Sequence, residues 1–72
     1  DVESGRISEV INAFLAEEKE KDRIIFVRRY YYSDGISDIA ERVGISEAAL
    51  AMRLSRMRAR LKKKLEEEGI TI

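Results

Sequence analysis

"IAERVGISEAALAMRL", residues 39–54, has the spacing of a helix-turn-helix. Ala40 stands where the two helices would cross, because a larger side chain there would force them apart, and Gly44 supplies the sharp turn four residues later. Ile45 and Leu50 are placed to pack the second helix onto the first. The pattern therefore predicts a helix-turn-helix, and an ordinary two-helix corner that touches no DNA is the alternative that the same spacing allows.

The spacing of apolar residues predicts further helices before this motif and a long helix after the turn. Proline is absent, and no segment alternates polar and apolar residues with the period of a strand. The spacing predicts a first helix from about residue 4 or 5 to residue 18, and a second that contains residues 24–31 and ends near residue 32. A third helix is predicted over residues 36–43, and a fourth from residue 47 to a stop at Gly69. The predicted fold class is all-α: a small four-helix domain with a C-terminal helix-turn-helix and a long last helix.

Capping residues mark the ends of the last two predicted helices. Asp34 or Gly35 is placed to cap the third helix, and Gly44 can end it in the left-handed conformation. Ser46 is placed to cap the fourth helix, and the carboxylate of Glu47 suits the positive end of that helix. These signals fix the turn between the two helices.

A chain of 72 residues makes one small domain, residues 1–72, which must be held together by apolar packing. Tyr30 and Tyr31 are expected to close the core rather than to stack on nucleic-acid bases. We expect a monomer, and the missing initiator Met suggests a piece of a longer chain. The buried stripe of the last helix is predicted to contain Leu50, Leu54, Met57, Leu61 and Leu65. The predicted core consists of Ile11, Phe14, Leu15, Phe26, Tyr30, Ile39, Ala40, Val43, Ile45, Leu50 and Leu54.

The composition excludes most catalytic and metal-binding chemistry. The chain has no cysteine and no histidine, so it lacks disulfides, thiolate and imidazole ligands, and the usual near-neutral acid or base. It also has no glycine-rich phosphate-binding loop, and we therefore expect no enzyme, no metal and no cofactor. No apolar run approaches the roughly 18 residues that span a bilayer, and no basic-then-apolar leader opens the sequence. We expect a cytoplasmic protein without a membrane partner.

The charges are unevenly distributed, although their formal sum is zero. Residues 1–22 carry seven acids and three bases, whereas residues 53–64 carry seven bases and no acid. The lysines at 62–64 can pair with the glutamates at 66–68 at helical spacing, which would make this segment an ordinary solvated surface. The arginines at 53–60 have no such partners, and they form a basic stripe that suits a polyanion.

Three segments in fixed order carry a resemblance to a known family: "IIFVRRYYY" at residues 24–32, "ISDIAERVGIS" at 36–46 and "RLSRMRARLKKKLEEEGI" at 53–70. Together they resemble region 4, the C-terminal region of bacterial RNA polymerase sigma factors of the short extracytoplasmic-function-like kind, over residues 11–70. The resemblance implies a compact helical bundle whose helix-turn-helix binds the −35 element of double-stranded promoter DNA. It also implies docking on the flap of the polymerase β subunit and, as a further partner, an anti-sigma factor.

Two departures from the family pattern bear on these expectations. Many members begin the second helix with Leu-Pro where this chain has Glu18 and Lys19, so the first two helices join differently or run on as one. The family commonly has Thr or Lys at the position of Ala49, Lys at that of Ala51 and Ser at that of Met52. In this chain, the face of the second helix that would meet the bases therefore carries mostly methyl groups. Carried over by position, the candidate DNA contacts are Ser46, Glu47, Ala49, Met52, Arg53, Arg56 and Arg60.

Two functions from different classes fit these residues. In one, Ala49 and Met52 contact thymine methyl groups while the arginines hold phosphates, and the domain recruits polymerase to a promoter. In the other, the same fold is a protein-interaction module that docks on polymerase or an anti-sigma factor and contacts DNA weakly. Duplex binding measured over a salt series separates the two functions.

Overall fold

Four α-helices make up most of residues 2–70, the part of the backbone that the structure, a computed structural model, describes; side chains are described from residue 5 to residue 70. No strand occurs among these described residues. The all-α prediction of four helices with a long last helix is confirmed. The helices are α1 (Val2–Glu17), α2 (Glu20–Tyr30), α3 (Ile36–Val43) and α4 (Glu47–Glu67).

The junction between α1 and α2 shows that these helices do not run on as one. α1 ends at Glu17, and α2 begins at Glu20. Lys19 between them has an extended backbone (φ −64°, ψ 152°), and its carbonyl accepts a 3.0 Å hydrogen bond from the amide of Arg23. The Arg23 guanidinium also donates to the carbonyl of Glu18 at 2.9 Å. The corner is therefore held by hydrogen bonds, without the Leu-Pro pair that many family members place there.

α2 ends earlier than predicted. Its last residue is Tyr30, and the amide of Tyr31 donates to the carbonyl of Val27 at 2.9 Å. Ser33 then takes a positive φ of 58°, which turns the chain out of the helix. Gly35, one of the two predicted caps, occupies the N-cap position of α3.

The turn between α3 and α4 has the geometry that the sequence predicts. Gly44 is left-handed (φ 73°), and the amides of Gly44 and Ile45 both donate to the carbonyl of Ala40, at 2.9 and 3.1 Å. The Ser46 hydroxyl accepts a 3.1 Å hydrogen bond from the amide of Ala49 and caps α4. Both predicted caps are confirmed, and together they fix the direction in which α4 leaves α3.

A Schellman motif closes the end of α4. Gly69 is left-handed (φ 77°), and its amide donates to the carbonyl of Glu66 at 3.0 Å. The amide of Ile70 donates to the carbonyl of Leu65 at 2.8 Å, and the Ile70 side chain is buried. The predicted stop at Gly69 therefore also returns an apolar side chain to the core.

Two apolar clusters form the core, and α2 and α4 contribute to both. α2 supplies the neighbouring residues Ile25 and Phe26 to different clusters, because successive side chains on a helix point about 100° apart. The first cluster joins α3 to the start of α4 and contains Ile25, Ile39, Ala40, Leu50 and Leu54. The second joins α1 to the middle of α4 and contains Phe14, Leu15, Phe26 and Met57.

The predicted core is largely confirmed. Ile25 and Ile70 are buried core residues that the prediction omitted. Half-buried residues that pack against the two clusters are Ile11, Val43, Ile45 and Leu61. Residues buried as predicted are Phe14, Leu15, Phe26, Ile39, Ala40, Leu50, Leu54, Met57 and Leu65.

The prediction that Tyr30 and Tyr31 close the core is wrong. Tyr30 is 40% exposed and Tyr31 is 59% exposed. The Tyr30 ring packs on Phe26, with ring centroids 4.7 Å apart, while its hydroxyl accepts a 2.6 Å hydrogen bond from Arg58. A tyrosine hydroxyl needs a polar partner, so Tyr30 lies at the edge of the core, where α4 offers a guanidinium.

Replacing Ala40 with Leu tests the crossing of α3 and α4. Ala40 is buried there, so the larger side chain should overpack the site and lower the free energy of unfolding by about 1–3 kcal/mol. Ala59→Leu, on the exposed side of α4, is the matched control and should change that free energy by less than about 0.5 kcal/mol. Equal urea midpoints for the two variants would contradict a tight crossing at Ala40.

Two glycine-to-alanine substitutions should act in opposite directions. Gly44→Ala places a side chain at φ 73° and should lower the free energy of unfolding by about 1–2 kcal/mol. Gly5 is an exposed residue of α1, and the added methyl group of Gly5→Ala meets open space. This substitution should raise the free energy of unfolding by about 0.5–1 kcal/mol, since alanine is the better helix former. Urea denaturation measures both changes, and a free energy of unfolding that Gly44→Ala leaves unchanged or raises would be incompatible with the left-handed turn.

Candidate nucleic-acid interface

In the first two turns of α4, the face that points away from both core clusters is exposed and largely apolar. Leu50 and Leu54 point into the core, which turns Ala49 and Met52 outward; Met52 is 56% exposed. Ala51, next to Leu50, is also exposed. The methyl groups and the thioether on this face are therefore accessible to a partner.

The first turn of α4 carries two candidate contacts that also serve the helix itself. Ser46 is exposed, and its hydroxyl accepts from the amide of Ala49. Glu47 is exposed in the first turn, where its carboxylate lies at the positive end of the helix. A further contact by Ser46 would use the remaining lone pair and the proton of its hydroxyl.

Two of the three candidate arginines have acidic partners. Arg53 Nη1 lies 3.1 Å from Asp22 Oδ1, and the guanidinium of Arg60 pairs with the carboxylate of Glu18. The expectation that these arginines are free of acidic partners is therefore wrong. Their partners lie 31 and 42 residues away in the sequence, at the corner between α1 and α2, so helical spacing does not reveal them.

Lys64 continues this pattern along α4. Its Nζ lies 3.1 Å from Glu17 Oε2, at the end of α1. Within the described side chains, no ion pair joins the lysines at 62–64 to the glutamates at 66–68, so the interpretation of this segment as locally paired is wrong. The ion pairs of α4 are tertiary contacts rather than contacts within the helix.

Arg56 is the candidate arginine without an ion pair among the residues that the structure describes. It is exposed, and its Nη2 lies 3.3 Å from Met52 Sδ. A thioether is a weak acceptor, so this contact leaves the guanidinium charge uncompensated. Arg56 therefore offers a full positive charge beside the apolar face of α4.

An apolar groove of about 550 Å³ lies on the other flank of α4, away from Arg53 and Arg60. Sequence reasoning missed it, because the prediction placed Tyr30 and Tyr31 inside the core instead of along a surface groove. The available signal in the sequence was the run of three tyrosines at residues 30–32, which is more aromatic surface than the end of one short helix can bury. The groove is lined by Ile11, Phe26, Tyr30, Tyr31, Arg58, Leu61, Lys62 and Leu65.

Neither a cluster of metal ligands nor a membrane-spanning helix occurs in the described part of the chain. No group of three or more His, Cys, Asp or Glu residues there is placed to hold a metal ion. None of the helices just described is both long and apolar enough to cross a bilayer. What α4 does present is exposed apolar groups beside guanidinium groups, a combination that suits the base edges and phosphates of a nucleic acid.

A comparison with protein families agrees with this chemistry. The family model described as Sigma-70, region 4 matches residues 11–61, which span the end of α1, all of α2 and α3, and most of α4. A search of curated proteins finds no match. The resemblance drawn from the sequence segments is confirmed, and the matched family is a DNA-binding region of transcription initiation factors and not an enzyme family. Since the matched segment covers most of the chain, the chain belongs to the sigma-70 region 4 family.

Proposed function

We propose that this domain binds the −35 element of promoter DNA through α4 while its apolar groove docks on the flap of the RNA polymerase β subunit. Family membership supports contact with DNA and with polymerase in general terms. The observation that carries the proposal is the exposed face of α4 around Ala49 and Met52, with Arg56 beside it. A helix-turn-helix lays its second helix in the major groove, and α4 is that second helix.

Each candidate contact in this proposal has its own chemistry. Ala49 and Met52 offer apolar groups to thymine methyls in the major groove. Arg56, which has no ion pair with a described carboxylate, suits a phosphate or a guanine edge. Arg53 and Arg60 lie on the side of α4 that faces the α1–α2 corner, where they would hold backbone phosphates. This arrangement offers few contacts to base edges, so phosphate contacts supply most of the affinity for duplex DNA.

Removing the Arg56 guanidinium should weaken binding to a promoter-like duplex and flatten its salt dependence. Each phosphate that a cation neutralises contributes about −0.9 to the slope of log Kobs against log salt, so Arg56→Ala should make the slope shallower by about one unit. Arg53→Ala acts in the same direction. Arg6→Ala is the control and should leave the slope in place, because Arg6 is exposed and its guanidinium donates to the carbonyl of Glu68, beyond the far end of α4. Fluorescence anisotropy over a salt series measures all of these, and an unchanged slope for Arg56→Ala would mean that the basic stripe is only solvated.

Adding a cation at Ala51 should tighten duplex binding. Ala51 is exposed on α4, so Ala51→Lys should leave the unfolding midpoint nearly unchanged and gain about 1 kcal/mol, a roughly fivefold lower Kd, from one charge-assisted contact. Asn12→Lys places the same charge at an exposed position of α1 and is the control for a nonspecific gain in duplex affinity. Loss of stability in Ala51→Lys would show that α4 is rotated from the orientation described. No change in stability or affinity would favour a protein-docking surface.

The apolar groove supports the polymerase half of the proposal. It lies between α1, α2 and α4, and it exposes Tyr31 beside half-buried Leu61. Grooves of this kind accept the apolar face of an amphipathic helix, whose anchors recur every three or four residues. Because the groove and the paired arginines lie on opposite flanks of α4, DNA and polymerase can be bound at the same time.

Replacing Tyr31 with Ala should weaken binding to the isolated β flap. An interfacial tyrosine commonly contributes enough that its removal raises Kd by about tenfold, or about 1.4 kcal/mol. Tyr32→Ala is the matched control, because Tyr32 is 68% exposed but lies outside the groove, where the Arg28 guanidinium sits 5.8 Å from its ring centroid. Isothermal titration calorimetry distinguishes the two variants, and equal losses would place the flap elsewhere.

A protein-interaction module of the same fold is the second candidate function. The exposed apolar face around Met52 favours it, because contiguous exposed apolar groups often mark protein contacts. In that case the partner is polymerase or an anti-sigma factor, and the monomeric domain binds DNA weakly. The salt series with Arg56→Ala decides between the two functions.

A further inference from the structure

A row of ion pairs joins the corner between α1 and α2 to one flank of α4. We call the three carboxylates, at residues 17, 18 and 22, the acidic edge. All three belong to a segment that precedes the helix-turn-helix and lies outside it. The pairs are Asp22 with Arg53 at 3.1 Å, Glu18 with Arg60, and Glu17 with Lys64 at 3.1 Å.

The cations of this row include two that we propose to hold DNA phosphates. The side chains of Arg53 and Arg60 are 42% and 50% exposed, whereas those of Asp22 and Glu18 are 21% and 14% exposed. Each guanidinium therefore partly covers its carboxylate and still faces solvent. A phosphate approaching this flank reaches the arginine first and meets the carboxylate charge directly behind it.

A polar groove of about 630 Å³ brings these charges together. Its walls include the whole acidic edge on one side and Arg53, Arg56 and Arg60 on the other. Lys19 and Lys21 also line the groove, so an anion there would gain attraction from the guanidinium and ammonium groups and repulsion from the carboxylates. The balance between the two decides how strongly this flank holds a phosphate backbone.

We infer that the acidic edge competes with DNA phosphates for Arg53 and Arg60 and thereby sets the affinity and the salt dependence of duplex binding. The inference rests on the proposed function, since it assumes that α4 binds DNA. It assigns a role to Glu18 and Asp22, which lie outside the helix-turn-helix and are not among the candidate DNA contacts. Exposed ion pairs contribute little to stability, so phosphates can exchange with these carboxylates without unfolding the domain.

Competition leaves a signature in the salt dependence. When an arginine neutralises a phosphate, the duplex releases a condensed cation. When that arginine first has to leave a carboxylate, the freed carboxylate attracts a cation from solution and offsets part of the release. The paired arginines therefore contribute less than the usual slope of about 0.9 per phosphate, and neutralising the acidic edge restores it.

The test is duplex binding by Glu18→Gln, Asp22→Asn and the double variant, over the same salt series as Arg56→Ala. The amides keep the size of the carboxylates and an oxygen that can accept from the arginines, so the arginines stay in place. We expect the double variant to bind several-fold more tightly at low salt, with a slope steeper by up to about two units, and to lose this advantage at high salt. Glu9→Gln combined with Glu67→Gln removes two acids at exposed positions outside the acidic edge and controls for net charge.

Two results would overturn the inference. Weaker binding by the double variant would mean that the carboxylates position the arginines for DNA. Binding equal to that of the two-acid control would mean that the ion pairs have no bearing on duplex affinity. In both cases the response to Arg56→Ala shows whether the proposed function survives. If the parent domain binds no duplex and Arg56→Ala changes nothing, the proposed function and this inference fail together.

Discussion

Burial of one apolar stripe on α4 is the constraint on which the rest of the molecule depends. Leu50 and Leu54 belong to the cluster with α3, and Met57 belongs to the cluster with α1. α4 also packs against each of the other three helices. Once this stripe faces inward, the rotation of about 100° per residue fixes the direction in which every other side chain of α4 points. The apolar face, the paired arginines and the groove are three consequences of that single orientation.

The sequence was most informative where a local rule admits few residue types. Gly44 and Ser46 have the conformation and the hydrogen bond that their types favour, and Ala40 is buried as the crossing requires. The burial of Leu50 and Leu54 also follows from helical spacing alone. These features depend on neighbours within a few residues, so the single sequence was enough to predict them.

Features that depend on distant residues were not predictable in the same way. The partners of Arg53 and Arg60 lie 31 and 42 residues away, and no spacing rule links them. Tyr30 was misplaced because its ring is apolar while its hydroxyl needs a partner, and that partner, Arg58, is 28 residues away. Ile70 was missed because its burial follows from the turn at Gly69 rather than from periodicity. The roles of the candidate DNA contacts remain predictions.

The acidic edge beside the basic stripe has a consequence for diffusional encounter. The chain carries no formal net charge, and its opposite charges lie a few ångströms apart along the flank of α4. Opposite charges this close largely cancel at a distance, and salt screens the remaining field beyond about one Debye length, roughly 8 Å at physiological ionic strength. These 72 residues are therefore not drawn toward a polyanion from afar, and their association rate constant should approach the roughly 10⁵–10⁶ M⁻¹s⁻¹ of unsteered docking. Capture would begin at contact, so a tether to a larger assembly, by raising the local concentration, would govern how often this surface meets its target.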